Sequence, residues 1–260
     1  MAKKRPAHQP TMLADPPQDE IRTLRELTRM PYRAAKLSQE WRGFLGSVPA
    51  DAQFSILLAG PSGTGKSTLC LQLAREFARL GNVLYVCAEE RTKSGTLRLR
   101  ARLLGISSSR IWMFDTTRYE SVVAELSKGN HKFCIIDSIQ ELDVDDEHIM
   151  RIIEQFPNVV FLFVAQVDWT EKYSRGSSKW RHKVDIRLWT DVDEDTQCRW
   201  AHNIKNRFAP TVSKRFLFCQ ADEAKEPASN GRKGADNYNA VTNSRRHRGA
   251  SVWKRNTSKE

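Results

Sequence analysis

Short apolar runs alternate with amphipathic stretches through the middle of the chain. Four continuous apolar runs have the length and composition of buried strands; they lie at residues 54–59, 83–88, 133–136 and 159–165. Between them, apolar residues recur at three- and four-residue spacing, which predicts helices near residues 68–80, 97–104, 122–126 and 149–156. Strands that are apolar on both faces and alternate with helices predict an α/β fold. Its central sheet should be mostly parallel, with helices on both faces.

A different pattern follows this alternation. Three extended runs at residues 186–190, 198–205 and 215–219 are joined by turns, without helical spacing between them. Antiparallel strands need only short connections, whereas parallel strands need long crossovers. These runs therefore predict an antiparallel C-terminal extension of the same sheet.

The two ends of the chain differ in composition from this central region, residues 51–221. Residues 1–16 contain three prolines and few large apolar side chains, which predicts a flexible basic arm. Residues 17–50 contain helical pieces interrupted by Pro31, and they could pack on the core or on a neighbouring subunit. Residues 222–260 are rich in Asn, Gly, Ser, Arg and Lys, which predicts a basic disordered tail.

The charge balance narrows the class of protein and partner. The net charge is +11, and each end of the chain carries +4 of it. This excess predicts attraction to polyanions such as nucleic acid, although a solubilising role for the tail fits equally well. The chain has no apolar run of about 18 residues and no secretory signal pattern, so we expect a cytoplasmic protein without a membrane span. Five scattered cysteines argue against a four-cysteine zinc site and a disulfide scaffold.

Residues 60–67 fit the pattern GxxxxGK[ST] between a predicted strand and a predicted helix. Glycines let the backbone N–H groups turn inward toward an anion, and a helix that begins at Lys66 directs its positive end at the same point. In this setting Lys66 is predicted to contact the β- and γ-phosphates of a nucleotide and Ser67 to bind Mg²⁺. The alternative is a glycine-rich turn with a chance lysine.

Carboxylates follow two of the buried strands. Asp137 ends the run at residues 133–136, where a carboxylate can join the Mg²⁺ shell; the alternative is a helix-capping aspartate. Glu89 and Glu90 follow the run at residues 83–88. One of them is predicted to orient or deprotonate the attacking water, and we choose Glu89; the alternative is an ordinary exposed pair.

The order of these motifs resembles the RecA-like P-loop ATPases, and most of all the ATPase core of the RadA/Sms DNA repair family. The segment Lys-Asn-Arg-Phe-Ala-Pro-Thr at residues 205–211 is similar to the KNRFG segment of that family. The resemblance covers roughly residues 50–220. No cysteine precedes Cys70, and only 40 residues follow position 220, so we expect neither the family's zinc module nor its Lon-like domain. Ala209 stands where the family has glycine.

The resemblance implies a role for each matching residue. The ATP-binding residues would be Gly60, Pro61, Ser62, Gly63, Thr64, Gly65, Lys66, Ser67 and Thr68. Ser67 and Asp137 would hold Mg²⁺. The catalytic residues would be Lys66, Glu89, Asp137, Gln166, Lys205 and Arg207. Among these, Gln166 would sense the γ-phosphate, and Lys205 and Arg207 would reach the ATP of a neighbouring subunit.

Basic and aromatic side chains are interleaved in the polar stretch at residues 167–183, which follows the glutamine. Such loops contact single-stranded DNA through phosphate charge and base stacking. The predicted DNA-binding residues are Trp169, Lys172, Arg175, Lys179, Trp180 and Arg181. The alternative is that the two tryptophans anchor the loop on the core.

These observations predict a Mg²⁺-dependent ATPase of the RecA/RadA type that binds DNA. The composition of this loop indicates that the DNA is single-stranded. It would act as a ring or filament of identical subunits in recombination, repair or replication, with a possible replication or recombination protein as partner. The alternative is an ATP-binding switch or accessory factor that regulates a protein partner and shows little DNA-stimulated hydrolysis.

Overall fold

An eight-stranded sheet runs through the part of the chain that the computed structural model describes, residues 21–142, 144–167, 179–209 and 215–219. The strands are β1 (Ser55–Gly60), β2 (Val83–Cys87), β3 (Ile111–Phe114), β4 (Phe133–Asp137), β5 (Val160–Gln166), β6 (Ile186–Val192), β7 (Arg199–Asn206) and β8 (Arg215–Cys219). Their order in the sheet is β3-β2-β4-β5-β1-β6-β7-β8.

Short helices connect these strands. They are α1 (Leu24–Arg29), α2 (Gln39–Leu45), α3 (Lys66–Ala78), α4 (Thr96–Leu103), α5 (Tyr119–Leu126), α6 (Asp146–Gln155) and α7 (Lys179–Lys183). Two 3₁₀ turns lie at Thr92–Ser94 and Ile139–Leu142. Among the residues described, no helix has the length and apolar character needed to cross a membrane.

The strand pairing confirms the predicted fold class. β1 lies between β5 and β6 and is parallel to both, whereas the β6–β7 and β7–β8 pairs are antiparallel. The hydrophobic pattern did not predict β3, the four-residue edge strand beside β2. β3 is only partly buried, whereas the other parallel strands are covered on both faces.

Each face of the sheet carries its own apolar core. On one face α3 packs its buried residues, such as Leu69, Leu73 and Phe77, against β1, β2 and β4. On the other face α5, α6 and α7 cover Leu57, Phe161 and Phe163. Two covered faces explain why the central strands are apolar at successive positions instead of alternating.

Residues 37–48 belong to the core of the same chain, which decides a question that the sequence left open. Trp41 is 4% exposed, and its ring lies 4.7 Å from the ring of Phe216 in β8. Phe44 stacks on the same ring at 5.0 Å. In contrast, α1 has no buried residue. The segment predicted as helical pieces interrupted by Pro31 therefore consists of a docked part around α2 and an exposed α1.

The predicted basic arm at residues 1–16 and the predicted basic tail at residues 222–260 lie outside the described residues. The same holds for most of the predicted DNA loop, residues 168–178.

Replacing Trp41 with alanine should destabilise the fold, because it removes a buried ring that joins α2 to β8. We expect a loss of about 3–5 kcal/mol in the free energy of unfolding, measured by urea denaturation. Leu24→Ala on α1 is the control, since that side chain is 75% exposed, and it should change stability by less than about 0.5 kcal/mol. Equal losses in both variants would contradict the docking of α2.

Candidate active site

The turn between β1 and α3 has the backbone shape that phosphate binding requires. α3 begins at Lys66, as the motif predicts, and Gly65 is its N-cap residue. Gly63 and Gly65 have φ angles of +77° and +89°, in the left-handed region that favours glycine. The positive end of a 13-residue helix therefore faces the turn.

Side chains from β6, β7 and β8 support this turn from one side. A Cβ atom on Gly65 would lie 2.7 Å from Cδ of Arg199 and 3.0 Å from the ring of Phe218, so no larger residue fits there. The hydroxyl of Thr64 lies 2.7 Å from the hydroxyl of the fully buried Thr190 in β6. The antiparallel extension thus holds the phosphate-binding turn in place.

Lys66 is 8% exposed and lies within the turn. Its Nζ donates hydrogen bonds to the carbonyl oxygens of Gly60 at 2.9 Å and Pro61 at 2.7 Å. Burial lowers the pKa of Lys66, and the carboxylates of Glu89 and Asp137 act in the opposite direction. These two carboxylates are therefore close enough to interact with the lysine charge.

Asp137 provides a buried carboxylate beside Ser67. It is 5% exposed, and the Tyr85 hydroxyl donates to its Oδ2 at 2.7 Å. Ser67 also hydrogen-bonds to this carboxylate. Burial raises the pKa of Asp137, while the hydrogen bonds from Tyr85 and Ser67 lower it less strongly.

The donor set at this point fits Mg²⁺. Mg²⁺ prefers oxygen ligands and is usually held by one or two protein groups together with substrate phosphates and water. Ser67 and Asp137 supply two such oxygen ligands next to the turn. No group of three or more His, Cys, Asp or Glu suited to a metal occurs in the described part of the chain.

The structure distinguishes the two glutamates that follow β2. The side chain of Glu90 is occupied: Arg100 donates to it at 2.7 Å, and the Thr96 hydroxyl also hydrogen-bonds to it. Glu89 is exposed, and its backbone N–H donates to the carbonyl oxygen of Asp137 at 3.1 Å. Of the pair, Glu89 is the one whose charge acts on Lys66.

Gln166 ends β5 directly opposite Gly60 in the strand register. The amide of Gln140 donates to the Gln166 carbonyl at 2.9 Å and accepts from its N–H at 3.3 Å. This pair of bonds holds the end of β5 beside the phosphate-binding turn. The predicted residues Lys66, Ser67, Glu89, Asp137 and Gln166 thus meet at one edge of the sheet.

Lys205 and Arg207 do not join this group. Lys205 in β7 lies opposite Arg187 in β6, and Arg187 lies opposite Leu57 in β1. Leu57 is three positions before the end of β1 that carries the turn. Its Nζ donates to the carbonyl oxygens of His182 at 2.7 Å and Val184 at 2.6 Å.

These contacts hold the Lys205 ammonium against carbonyl groups of its own chain. Burial lowers its pKa, and the nearby charge of Arg207 lowers it further. Arg207 itself pairs with Asp185 at 3.0 Å. Both cations therefore lie away from the phosphate-binding turn of their own chain.

Part of the predicted DNA-binding set can be located. Trp169, Lys172 and Arg175 lie outside the described residues, and Lys179 begins α7. Trp180 is 1% exposed, and its ring packs edge-on against Phe163 at 5.6 Å. This burial corrects the prediction that Trp180 stacks on DNA bases, because the ring is part of the core. Arg181 is half-buried. Burial lowers the pKa of Arg187, and the nearby charge of Arg181 lowers it further.

Sequence reasoning missed three residues that shape the site: Tyr85, Gln140 and Thr190. Tyr85 and Thr190 carry hydroxyls within otherwise apolar strands, and such groups need a partner when they are buried. That signal was available for both. Gln140 gave no such signal, because its role depends on the separation between β4 and β5.

Comparison with known proteins agrees with this geometry. Residues 45–164 match the AAA domain family. DNA repair protein RadA of Chlamydia muridarum is 32% identical over 206 residues, which cover 73% of this chain and 44% of RadA. RadA of Streptococcus pneumoniae is 31% identical over 205 residues, 72% of this chain and 47% of RadA. The chain thus spans less than half the length of these curated relatives.

Two solved structures share the fold. A KaiC-like protein from Pyrococcus horikoshii has a TM-score of 0.58 at 20% identity and covers 72% of this chain and 94% of its own. The flagellar accessory protein FlaH from Methanocaldococcus jannaschii has a TM-score of 0.55 at 17% identity, with the same coverage of both chains. The chain therefore has a RecA-like P-loop fold and is similar in sequence to the ATPase core of RadA. The predicted resemblance to the RadA core and the predicted fold class are confirmed.

Asp137→Asn should raise stability at neutral pH, in buffer that contains EDTA. The folded-state pKa of Asp137 lies above its unfolded value, so ionisation opposes folding. The wild type therefore loses stability as the pH rises through the folded pKa, whereas asparagine does not ionise. Urea unfolding of both proteins at a series of pH values measures this: the variant's advantage should grow with pH and vanish below the unfolded pKa.

Asp51→Asn is the control with the opposite sign. Arg33 lowers the pKa of the exposed Asp51 through a bidentate pair, so asparagine there should bring no gain at neutral pH. An Asp137→Asn protein that is less stable than the wild type at every pH would contradict the assigned direction.

Proposed function

We propose that this chain is a Mg²⁺-dependent ATPase that binds single-stranded DNA and acts as a ring or filament of identical subunits in recombination, repair or replication. The observation that carries the proposal is the division of the predicted catalytic residues between two ends of the sheet. Lys66, Ser67, Glu89, Asp137 and Gln166 lie at the phosphate-binding turn. The predicted trans-acting cations lie at the other end.

The position of those two cations supports assembly. β6 places Lys205 about 10 Å short of the strand end that carries the turn, because each strand residue advances about 3.3 Å. A cation at that end is better placed to meet the nucleotide of an adjacent subunit than that of its own chain. A cation that arrives only in the assembled state couples hydrolysis to oligomerisation.

The residues at the turn divide the chemistry among them. Lys66 and the backbone N–H groups hold the phosphates, and Glu89 accepts the proton of the water that attacks the γ-phosphorus. Gln166 contacts the γ-phosphate from the end of β5. When bound at Ser67 and Asp137, Mg²⁺ would neutralise charge on the phosphate oxygens. The bond between the γ-phosphorus and the bridging oxygen breaks, and ADP carries the electron pair away.

Charge and composition support the DNA part of the proposal. The chain has a net charge of +11, and its residues 167–183 interleave basic and aromatic side chains. The burial of Trp180 reduces the number of aromatic residues available for stacking and leaves Trp169 for that role. Phosphate contacts from Lys172 and Arg175 would supply most of the affinity.

An ATP-binding switch that regulates a protein partner is the second candidate, and one observation favours it. α1 and its flanks expose large apolar side chains: Ile21, Leu24, Leu27, Met30 and Tyr32. An apolar strip of this kind marks a surface that another protein can cover. If the chain is such a switch, its hydrolysis of ATP is slow and does not depend on DNA.

Hydrolysis of ATP by the purified chain should increase when single-stranded DNA is added at low salt. We expect a stimulation of about five- to 150-fold, the range typical of coupling between two sites. Lys66→Ala should reduce the rate by about 100-fold or more with DNA present, because it removes the cation at the phosphates. Phosphate release in the presence and absence of DNA measures both effects.

A double variant, Lys172→Ala with Arg175→Ala, tests where the DNA acts. It should keep the basal rate, lose the stimulation and reduce the salt dependence of DNA binding. A rate that is slow without DNA and unchanged by it would favour the protein-partner switch instead.

Mixing two inactive variants should restore hydrolysis if Lys205 acts on a neighbouring subunit. Lys66→Ala lacks its own phosphate contact, and Lys205→Ala lacks the cation it would offer to its neighbour. In a random equimolar mixture, about one quarter of the interfaces pair an intact Lys66 with an intact Lys205. We therefore expect about a quarter of the wild-type rate from the mixture and almost none from either variant alone.

The control is a mixture of the Lys66→Ala protein with a double variant that carries both Lys66→Ala and Lys205→Ala. This mixture has no intact interface and should stay inactive. An equimolar mixture of the two single variants that also stays inactive, although light scattering shows mixed oligomers, would contradict action in trans.

A further inference from the structure

Arg199, the first residue of β7, lies against the phosphate-binding turn but has no part in the chemistry described above. Its Cδ would be 2.7 Å from a Cβ on Gly65, so the aliphatic part of the side chain covers the N-cap of α3. The ring of Phe218 lies against the same glycine. The amide of Gln72 in α3 donates to the Phe218 carbonyl at 2.8 Å, which fixes β8 and its neighbour β7 beside the helix.

The guanidinium of Arg199 is available to a ligand. Its one hydrogen bond within the described residues goes to the Cys219 sulfur at 3.8 Å, and sulfur is a weak acceptor. No carboxylate of the described residues lies within ion-pair distance of it. The neighbouring Arg215 differs, since it stacks on the Trp200 ring at 3.7 Å and pairs with Asp193 at 3.8 Å.

The order of the strands shows which end of a nucleotide would meet Arg199. Glu89, Asp137 and Gln166 follow β2, β4 and β5, which all lie on one side of β1. The γ-phosphate must face these residues if they act on it. The α-phosphate, ribose and base then extend away from them, toward the side of the turn that β6, β7 and β8 form.

We propose that Arg199 is a nucleoside-binding residue whose guanidinium stacks on the base of the bound ATP. This inference rests on the proposed nucleotide site at the turn, but not on DNA binding or assembly. A guanidinium is planar, always charged and weakly hydrated, so it packs on the face of an aromatic ring better than an ammonium does. The wall behind it, the Phe218 ring and the Gly65 backbone, keeps the side chain extended toward the base.

Arg199→Met tests the proposal in the full chain, because methionine keeps much of the aliphatic cover on Gly65 but lacks the guanidinium. Isothermal titration calorimetry with Mg²⁺ measures the Kd for ATP and for inorganic tripolyphosphate, which has the phosphates but no nucleoside. We expect the Kd for ATP to rise about three- to thirtyfold, the range for a partly desolvated cation on an aromatic ring. The Kd for tripolyphosphate should stay within about twofold.

Three controls separate this role from a structural one. Arg199→Lys should recover only part of the ATP affinity, because an ammonium lacks the planar surface. Arg215→Met, on the adjacent strand, should change neither Kd. The melting temperature of Arg199→Met should match that of the wild type, since a half-exposed side chain is replaced by one of similar length.

The outcomes are distinct. Loss of ATP affinity with tripolyphosphate affinity preserved supports the proposal. Unchanged ATP affinity overturns it, and so does an equal loss for both ligands, because that result assigns Arg199 to the phosphates or to the shape of the turn. A wild-type chain that binds neither ligand would overturn the proposed nucleotide site itself.

Discussion

The parallel pairing of β1 with β5 on one side and β6 on the other determines where the residues of the candidate active site lie. In parallel strands the carboxyl ends coincide, so Gly60 and Gln166 meet at the same edge. The β2–β4 pair brings Cys87 level with Asp137 in the same way, and Glu89 follows two residues later. The members of this group come from distant parts of the chain, and the pairing of the strands brings them together.

This arrangement places charges where apolar residues would be more stable. Lys66 and Asp137 are both largely buried, and burial disfavours the charged form of each, lowering the pKa of the lysine and raising that of the aspartate. The Tyr85 hydroxyl and the two carbonyl oxygens that accept from Lys66 compensate part of this cost. In the proposed site, nucleotide phosphates and Mg²⁺ would offer the remaining compensation, which would link ligand binding to stability.

Much of the fold could be predicted from the sequence, because continuous apolar strands and the glycine-rich turn are strong local signals. The same is true of Lys66, Ser67 and Asp137, whose roles follow from motif and strand position. Trp180 was assigned wrongly because composition alone cannot distinguish a tryptophan that covers the core from one that faces a ligand. Gln140 and Arg199 were not found, since each acts across a gap between elements that only the folded chain closes.

The stacking of Trp41 and Phe44 on Phe216 joins the two ends of the described chain. During synthesis the α2 segment leaves the ribosome first, whereas its partner strand emerges only after the remaining strands of the sheet. Contacts of such long sequence separation form late, because the intervening loop must close before they contribute. The order of translation therefore leaves the aromatic face of α2 without its β8 partner until the sheet is nearly complete.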